Sequence, residues 1–148
     1  MKISSLTDLK KLSKDIKNKL LPGDFIFLYG EIGVGKTTFA RFLINNFEKE
    51  NNLKKSEVLS PTFNISFEYA IRNLTIKHYD LYRIKSENEI KNIGLFEDSE
   101  KSIILIEWPE LIKEKPLNRV DMFFEYTNNT NGRIINFKSS GRLKNYGF

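Results

Sequence analysis

Leu6, Leu9, Leu12, Ile16 and Leu20 recur at intervals of three and four, the spacing that lines one face of an α-helix. Ser5 followed three residues later by Asp8 has the form of a capping box, so the pattern predicts a first amphipathic helix from about Leu6 to Leu20. Pro22-Gly23 stops it. Phe25 to Tyr29 is apolar throughout, as expected for a short strand buried on both faces of a parallel sheet. Phe39, Phe42, Leu43 and Phe47 mark one face of a second helix over Thr37 to Phe47, closed by the polar stretch Glu48 to Glu57. Asn64 to Tyr69 and Leu74 to Asp80 predict two strands joined through Ala70 to Asn73 as a hairpin. Ser86 to Ile93 predicts a short helix ended by Gly94. Ser102 to Trp108 is another buried strand, stopped by Pro109. Arg119 to Thr127 and Arg133 to Ser139 flank NNTNG, a terminal hairpin. Strand, helix and hairpin signals together predict an α/β fold whose central sheet is mixed rather than purely parallel.

Composition narrows this pattern to a folded globular chain. The 148 residues are 40% hydrophobic, 29% charged and 13% aromatic, a balance that builds a core and argues against disorder. No repeat or Gly/Ser linker interrupts them, so residues 1–148 are expected to form one domain. The chain has no Cys, which excludes disulfide frameworks, thiolate zinc sites, iron–sulfur clusters and cysteine nucleophiles. Its N-terminus alternates apolar and charged residues without a signal-peptide core, and its longest apolar run, Phe25 to Tyr29, is too short to span a membrane. A cytoplasmic location is the expectation.

The net charge of +5 divides unevenly. Residues 1–22 hold six Lys and two Asp, and residues 133–148 hold four basic residues and no acidic one, each segment +4; residues 23–132 hold 14 basic and 17 acidic residues, net −3. Two readings of the basic ends stay open, solvated termini and contact with an acidic partner. The middle of the chain lacks the basic, aromatic-interleaved stripe of a dedicated nucleic-acid domain.

The chemistry concentrates at residues 30–38, GEIGVGKTT. Gly30, Gly35, Lys36 and Thr37 satisfy G-x-x-x-x-G-K-[ST], directly after a strand and opening a helix. The glycines permit the positive φ angles that turn successive N–H groups, including those of Gly33 and Val34, toward phosphate oxygens. Lys36 supplies charge to the β- and γ-phosphates, Thr37 a hydroxyl for Mg²⁺, and Thr38 reaches the α-phosphate. The motif implies a nucleoside triphosphate site, not its class. No N-K-x-D or T-K-x-D supports guanine recognition, no Asp begins D-x-x-G, and the six arginines are scattered rather than gathered in a lid. ATP hydrolysis is the leading reading. A small-molecule kinase and a non-hydrolysing nucleotide sensor are the alternatives.

Hydrolysis needs a carboxylate at a strand end near the loop. Glu107 closes the run Ile103 to Ile106 and Asp80 closes Leu74 to Tyr79, both at the carboxyl ends where open α/β sheets bind ligands. In Ser60-Pro61-Thr62-Phe63 the proline stiffens the backbone, and Thr62 is a candidate contact for the γ-phosphate or Mg²⁺, with a plain helix-to-strand turn as the competing account. His78, the only histidine, makes a poor metal site without partners and is expected as a hydrogen-bonded sheet residue. Trp108 is either packing or a lid beside the site.

GEIGVGKTTFAR, SPTFNISFEY, HYDLYR, Ile93-Gly94-Leu95 and IEWPE occur in an order and spacing that resembles the TsaE family, also called YjeE, over about residues 5–141. The resemblance implies a P-loop NTPase-like three-layer fold with a mixed central sheet, and an ATPase, weak alone, that supports threonylcarbamoyladenosine (t6A) modification of tRNA. It implies TsaD and TsaB as partners, which transfer threonylcarbamoyl to tRNA, with ATP and Mg²⁺ as cofactors, tRNA met only through the complex, and no membrane or DNA. By the same resemblance Lys36 and Thr37 are the phosphate and Mg²⁺ residues, Glu107 is the second Mg²⁺ ligand, and Asp80 and Thr62 serve hydrolysis. Arg133 matches a nucleotide-contacting arginine and Leu6 a base-side contact. Glu31-Ile32 and Val34 depart from the commoner Asp-Leu and Ala, the loop after Phe47 is longer, and the C-terminal tail diverges; none of these removes a phosphate ligand.

Overall fold

A computed structural model describes residues 1–128 and 131–147. Seven strands form one sheet: β1 (Lys2–Ile3), β2 (Phe25–Tyr29), β3 (Ser66–Ile71), β4 (Leu74–Asp80), β5 (Ser102–Glu107), β6 (Arg119–Tyr126) and β7 (Arg133–Ser140). Their order is β1-β7-β6-β2-β5-β4-β3. β6, β2, β5 and β4 run parallel, whereas β3, β7 and β1 pair antiparallel at the two sides. The mixed sheet expected from the hairpin signals is thus a parallel centre with antiparallel flanks.

Side chains alternate across the sheet, and each face acquires its own core. Ile26, Leu28, Ile76, Ile103, Leu105, Val120 and Met122 face α1 (Leu6–Lys17) and α2 (Lys36–Glu50), meeting Leu12, Ile16, Phe39, Leu43 and Ile44. Phe25, Phe27, Tyr79, Ile104 and Ile106 face the other way, toward Ile90 of α3 (Glu87–Ile93), Leu95 and Ile112. The central strands carry apolar residues at both parities, as a doubly covered sheet requires.

Several boundaries differ from the periodicity, each for a local reason. Ser5 and Asp8 form the capping box that starts α1, but the helix ends at Lys17, where Lys19 and Leu20 donate to Ile16 and Lys17 in tighter turns that lead into Pro22-Gly23. Leu20 is still buried, so the apolar pattern outlasts the helix. α2 runs to Glu50 because Glu48, Lys49 and Glu50 are good helix formers, and the Asn51 side chain caps the Phe47 carbonyl. β3 starts at Ser66, not Asn64, since Ile65 has φ 67°. Trp108, at φ 58°, has left β5. β1 had no periodic signal; two residues cannot carry one. The terminal hairpin pairs as expected, although Asn129 and Thr130 of its turn lie outside the described residues.

Candidate nucleotide site

Strand register gathers the site. Asp80 lies opposite Glu107 across β4 and β5, and Glu107 lies opposite Leu28 across β5 and β2. All three are on the α2 face, so both carboxylates project from strand ends beside the turn that carries β2 into α2. Each of the two acidic residues is only 2% exposed.

That turn is held open by backbone conformation. Gly30, Gly33 and Gly35 have φ of 138°, 76° and 116°, a region that costs side-chain-bearing residues energy. Gly35 occupies the N-cap of α2 without any side-chain cap, which leaves the first-turn N–H groups aimed at the loop's concavity. Lys36, 4% exposed, donates to the carbonyls of Gly30 and, at 2.9 Å, Glu31. Its ammonium also stands 4.0 Å from the centre of the Trp108 ring. Burial pushes this lysine below the ordinary lysine value, while Glu107, Asp80 and Glu110 act against that shift.

Thr37 Oγ1 is 2.9 and 3.0 Å from the two carboxylate oxygens of Glu107. Asp80 holds a different segment: its Oδ2 accepts from Ser60 at 2.6 Å and Thr62 at 2.9 Å, and its Oδ1 from the Tyr82 N–H at 2.9 Å. Trp108 donates its backbone N–H to the Leu28 carbonyl and packs its ring 4.9 Å from that of Tyr82. The result is a cleft of about 340 Å³ with Gly33, Lys36 and Thr37 on one wall and Thr62, Asp80 and Glu107 on the other.

Lys36, Thr37, Thr62, Asp80 and Glu107 therefore share one cleft. Leu6 and Arg133 line a separate cavity of about 240 Å³ that meets the first at Gly33, Gly35 and Thr38, with Val34 between. Arg133 is fixed there by donation to the Val34 carbonyl at 3.0 Å and by its position 4.2 Å over Tyr126; Leu6 is 67% exposed. Ser60 and Tyr82 also line the cleft, and His78, expected as a hydrogen-bonded sheet residue, bonds Glu107; no pattern in the sequence had marked Ser60 or Tyr82 as cleft residues or Glu107 as the partner of His78. The face of His78 was legible all the same: residues 78 and 80 are two apart on a strand and share it.

No cluster of three or more His, Cys, Asp or Glu able to hold a metal occurs among the described residues. A hydroxyl and one carboxylate at a phosphate-binding turn suit Mg²⁺ instead, a cation bound through one or two protein groups together with substrate phosphates and water. Among the described residues no helix is long and apolar enough to cross a membrane.

Strand, glycine turn and helix, with two carboxylates at neighbouring strand ends, define a P-loop α/β protein. The chain belongs to the TsaE family: the family described as threonylcarbamoyl adenosine biosynthesis protein TsaE matches residues 3–135. The chain is 45% identical over 106 residues to a tRNA threonylcarbamoyladenosine biosynthesis protein TsaE from Rickettsia felis, a match covering 72% of this chain but only 60% of that relative. A protein of the same description from Aquifex aeolicus is 33% identical over 114 residues, 77% of each chain. The crystal structure of Bacillus subtilis YdiB superposes with a TM-score of 0.76 at 26% identity, covering 99% of this chain and 88% of that one. The fold is the α/β, mixed-sheet fold expected from the sequence.

Proposed function

We propose that this chain is an ATPase of tRNA t6A biosynthesis, one P-loop domain over residues 1–148, which binds and hydrolyses ATP with Mg²⁺ in the cytoplasm to sustain repeated threonylcarbamoyl transfer by TsaD and TsaB. The observation that carries the reading is the meeting of Thr37, Glu107 and Asp80 within one cleft at the mouth of the glycine turn. Family membership supplies the process; the relatives' names supply the tRNA modification.

In this reading the loop amides and Lys36 bind the β- and γ-phosphates, Lys36 turning from the carbonyls it now contacts to the stronger acceptor. Thr37 and Glu107 hold Mg²⁺, and the cation when bound neutralises charge on the phosphate oxygens. Asp80 orients the attacking water and, through Ser60 and Thr62, sets the segment that covers the γ-phosphate end. Trp108 and Tyr82 exclude solvent from one side. Leu6 and Arg133 flank the base and ribose end, and Thr38, where the two cavities meet, reaches the α-phosphate. TsaD and TsaB are the partners, and tRNA is met through them.

Radiolabelled γ-phosphate tests the reaction class. Label is expected as free phosphate in the presence of Mg²⁺, and Glu107→Ala is expected to retain nucleotide while losing turnover. Label transferred to a metabolite would favour a kinase, and unchanged turnover in Glu107→Ala would sink the assignment of that residue.

A further inference from the structure

His78 is fully buried on the α2 face of β4, where its strand neighbours on that face are Ile76 and Asp80 and its cross-strand partners are Leu105 and Phe67. An apolar residue would fill this position without burying a ring nitrogen that has no partner. His78 nevertheless leaves Nδ1 unpaired among the described residues and commits Nε2 to Glu107 Oε1 at 2.8 Å. A carboxylate only accepts, so Nε2 is the donor in this contact. Burial of an unpaired nitrogen is unfavourable, and a folding role alone does not account for it.

Among the described residues the donors reaching the Glu107 carboxylate are Thr37 and His78. The Thr37 hydroxyl, assigned to Mg²⁺ through a lone pair, has one proton to share between the two carboxylate oxygens, so His78 supplies the second donor that fixes the glutamate. We propose that His78 is the positioning residue of the Mg²⁺ site: its Nε2–H fixes the Glu107 carboxylate in the orientation that completes the cation's coordination beside the phosphates. The proposal rests on the reading of Glu107 as a Mg²⁺ ligand. Partners that orient ligating groups in this way typically change metal affinity or activity by about 10- to 100-fold when removed.

Mn²⁺ binding, read by electron paramagnetic resonance in the presence of the imido analogue of ATP, tests it without turnover. His78→Leu is expected to weaken Mn²⁺ by about 10- to 100-fold while metal-free binding of the analogue stays within about twofold of wild type. His78→Gln, whose amide nitrogen reaches about as far as Nε2, is expected to recover most of the affinity. His78→Asn, polar but too short, is expected to fall with the leucine variant and serves in its place should that variant not fold. Mn²⁺ affinity within about twofold of wild type in both loss variants would overturn the proposal. So would equal losses of metal and metal-free nucleotide binding in all three variants, the mark of a structural role. Glu107→Ala separates the layers: if it leaves Mn²⁺ affinity unchanged, the ligand reading fails; if it weakens Mn²⁺ while the His78 loss variants do not, only the positioning role fails.

Discussion

Replacing Gly30 with alanine is expected to damage the fold more than the same change at Gly35, although both are glycines of one loop at positive φ. A Cβ on Gly30 would lie 2.5 Å from the Phe124 carbonyl oxygen, 3.0 Å from Val34 Cγ1 and 3.1 Å from Phe124 Cβ. Phe124 belongs to β6, paired with Ile135 of β7 on one side and adjoining the β2 pairing of Phe123 with Tyr29 on the other. That carbonyl cannot retreat without opening the sheet. At Gly35 nothing lies within 4 Å of the added carbon. Both variants carry backbone strain of about 1–3 kcal/mol, and Gly30→Ala adds overpacking of about 1–3 kcal/mol. The expectation is about 4 kcal/mol for Gly30→Ala and about 2 for Gly35→Ala, out of a total stability on the order of 5–15 kcal/mol. Urea unfolding followed by far-ultraviolet circular dichroism measures the difference as a midpoint shift at unchanged m. At an m of about 2 kcal/mol/M the two midpoints should fall by about 2 M and 1 M. Equal midpoints would refute the argument that the close approach of β6 to the loop, and not the φ angle alone, requires glycine at position 30.

Arg142→Leu tests the tether between the C-terminal tail and the turn before β2, where Arg142 pairs with the buried Asp24. Removing one partner of a buried pair costs roughly 3–5 kcal/mol; with Arg142 partly exposed, about 2 kcal/mol is expected at neutral pH. Burial already raises Asp24 above its ordinary value of 3.8, opposed by the Leu21 N–H and Arg142. A raised folded value means that the ionised form is the unfavourable one in the fold, so the destabilisation should shrink as pH falls through Asp24's folded value; a gap between variant and wild type that stays constant down to pH 3 by thermal melts would contradict this. Asp80→Ala should retain nucleotide affinity, lower kcat about 100-fold or more, and release Ser60 and Thr62, making residues 59–63 the first site of limited proteolysis. Preserved turnover, or an unchanged cleavage pattern, would count against the two roles assigned to Asp80.

Much of the fold was legible because its elements are punctuated by strong local signals. The span of β2 follows from five apolar residues between Asp24 and Gly30, and α3 from Ser86 and Gly94 at its ends. The Walker loop was legible for a related reason: its glycines and Lys-Thr are adjacent in sequence. Glu107 was visible as the residue that closes an apolar run, and Asp80 as the residue that closes a candidate strand. What no local pattern carries is register. The pairing of Asp80 with Glu107, and the diagonal reach of His78 to Glu107, arise from two strands separated by a helix and a loop. β1 was invisible since its two residues gain their conformation only by pairing with Arg133 and Ile134. Ser60 joined the cleft through a side-chain contact twenty residues away in sequence, a tertiary fact with no local trace.

If an ATP cycle at Lys36, Thr37, Asp80 and Glu107 sustains tRNA modification by other proteins, as proposed, that modification must depend on this chain and on its Lys36. The most direct measurement mixes this protein with TsaB, TsaD, tRNA and threonylcarbamoyl-adenylate, with ATP and Mg²⁺, and counts t6A formed per TsaD. Many turnovers are expected with the wild-type protein and no more than about one with Lys36→Ala or without ATP. Equal multiple-turnover yields with wild type, with Lys36→Ala and with the protein omitted would contradict it.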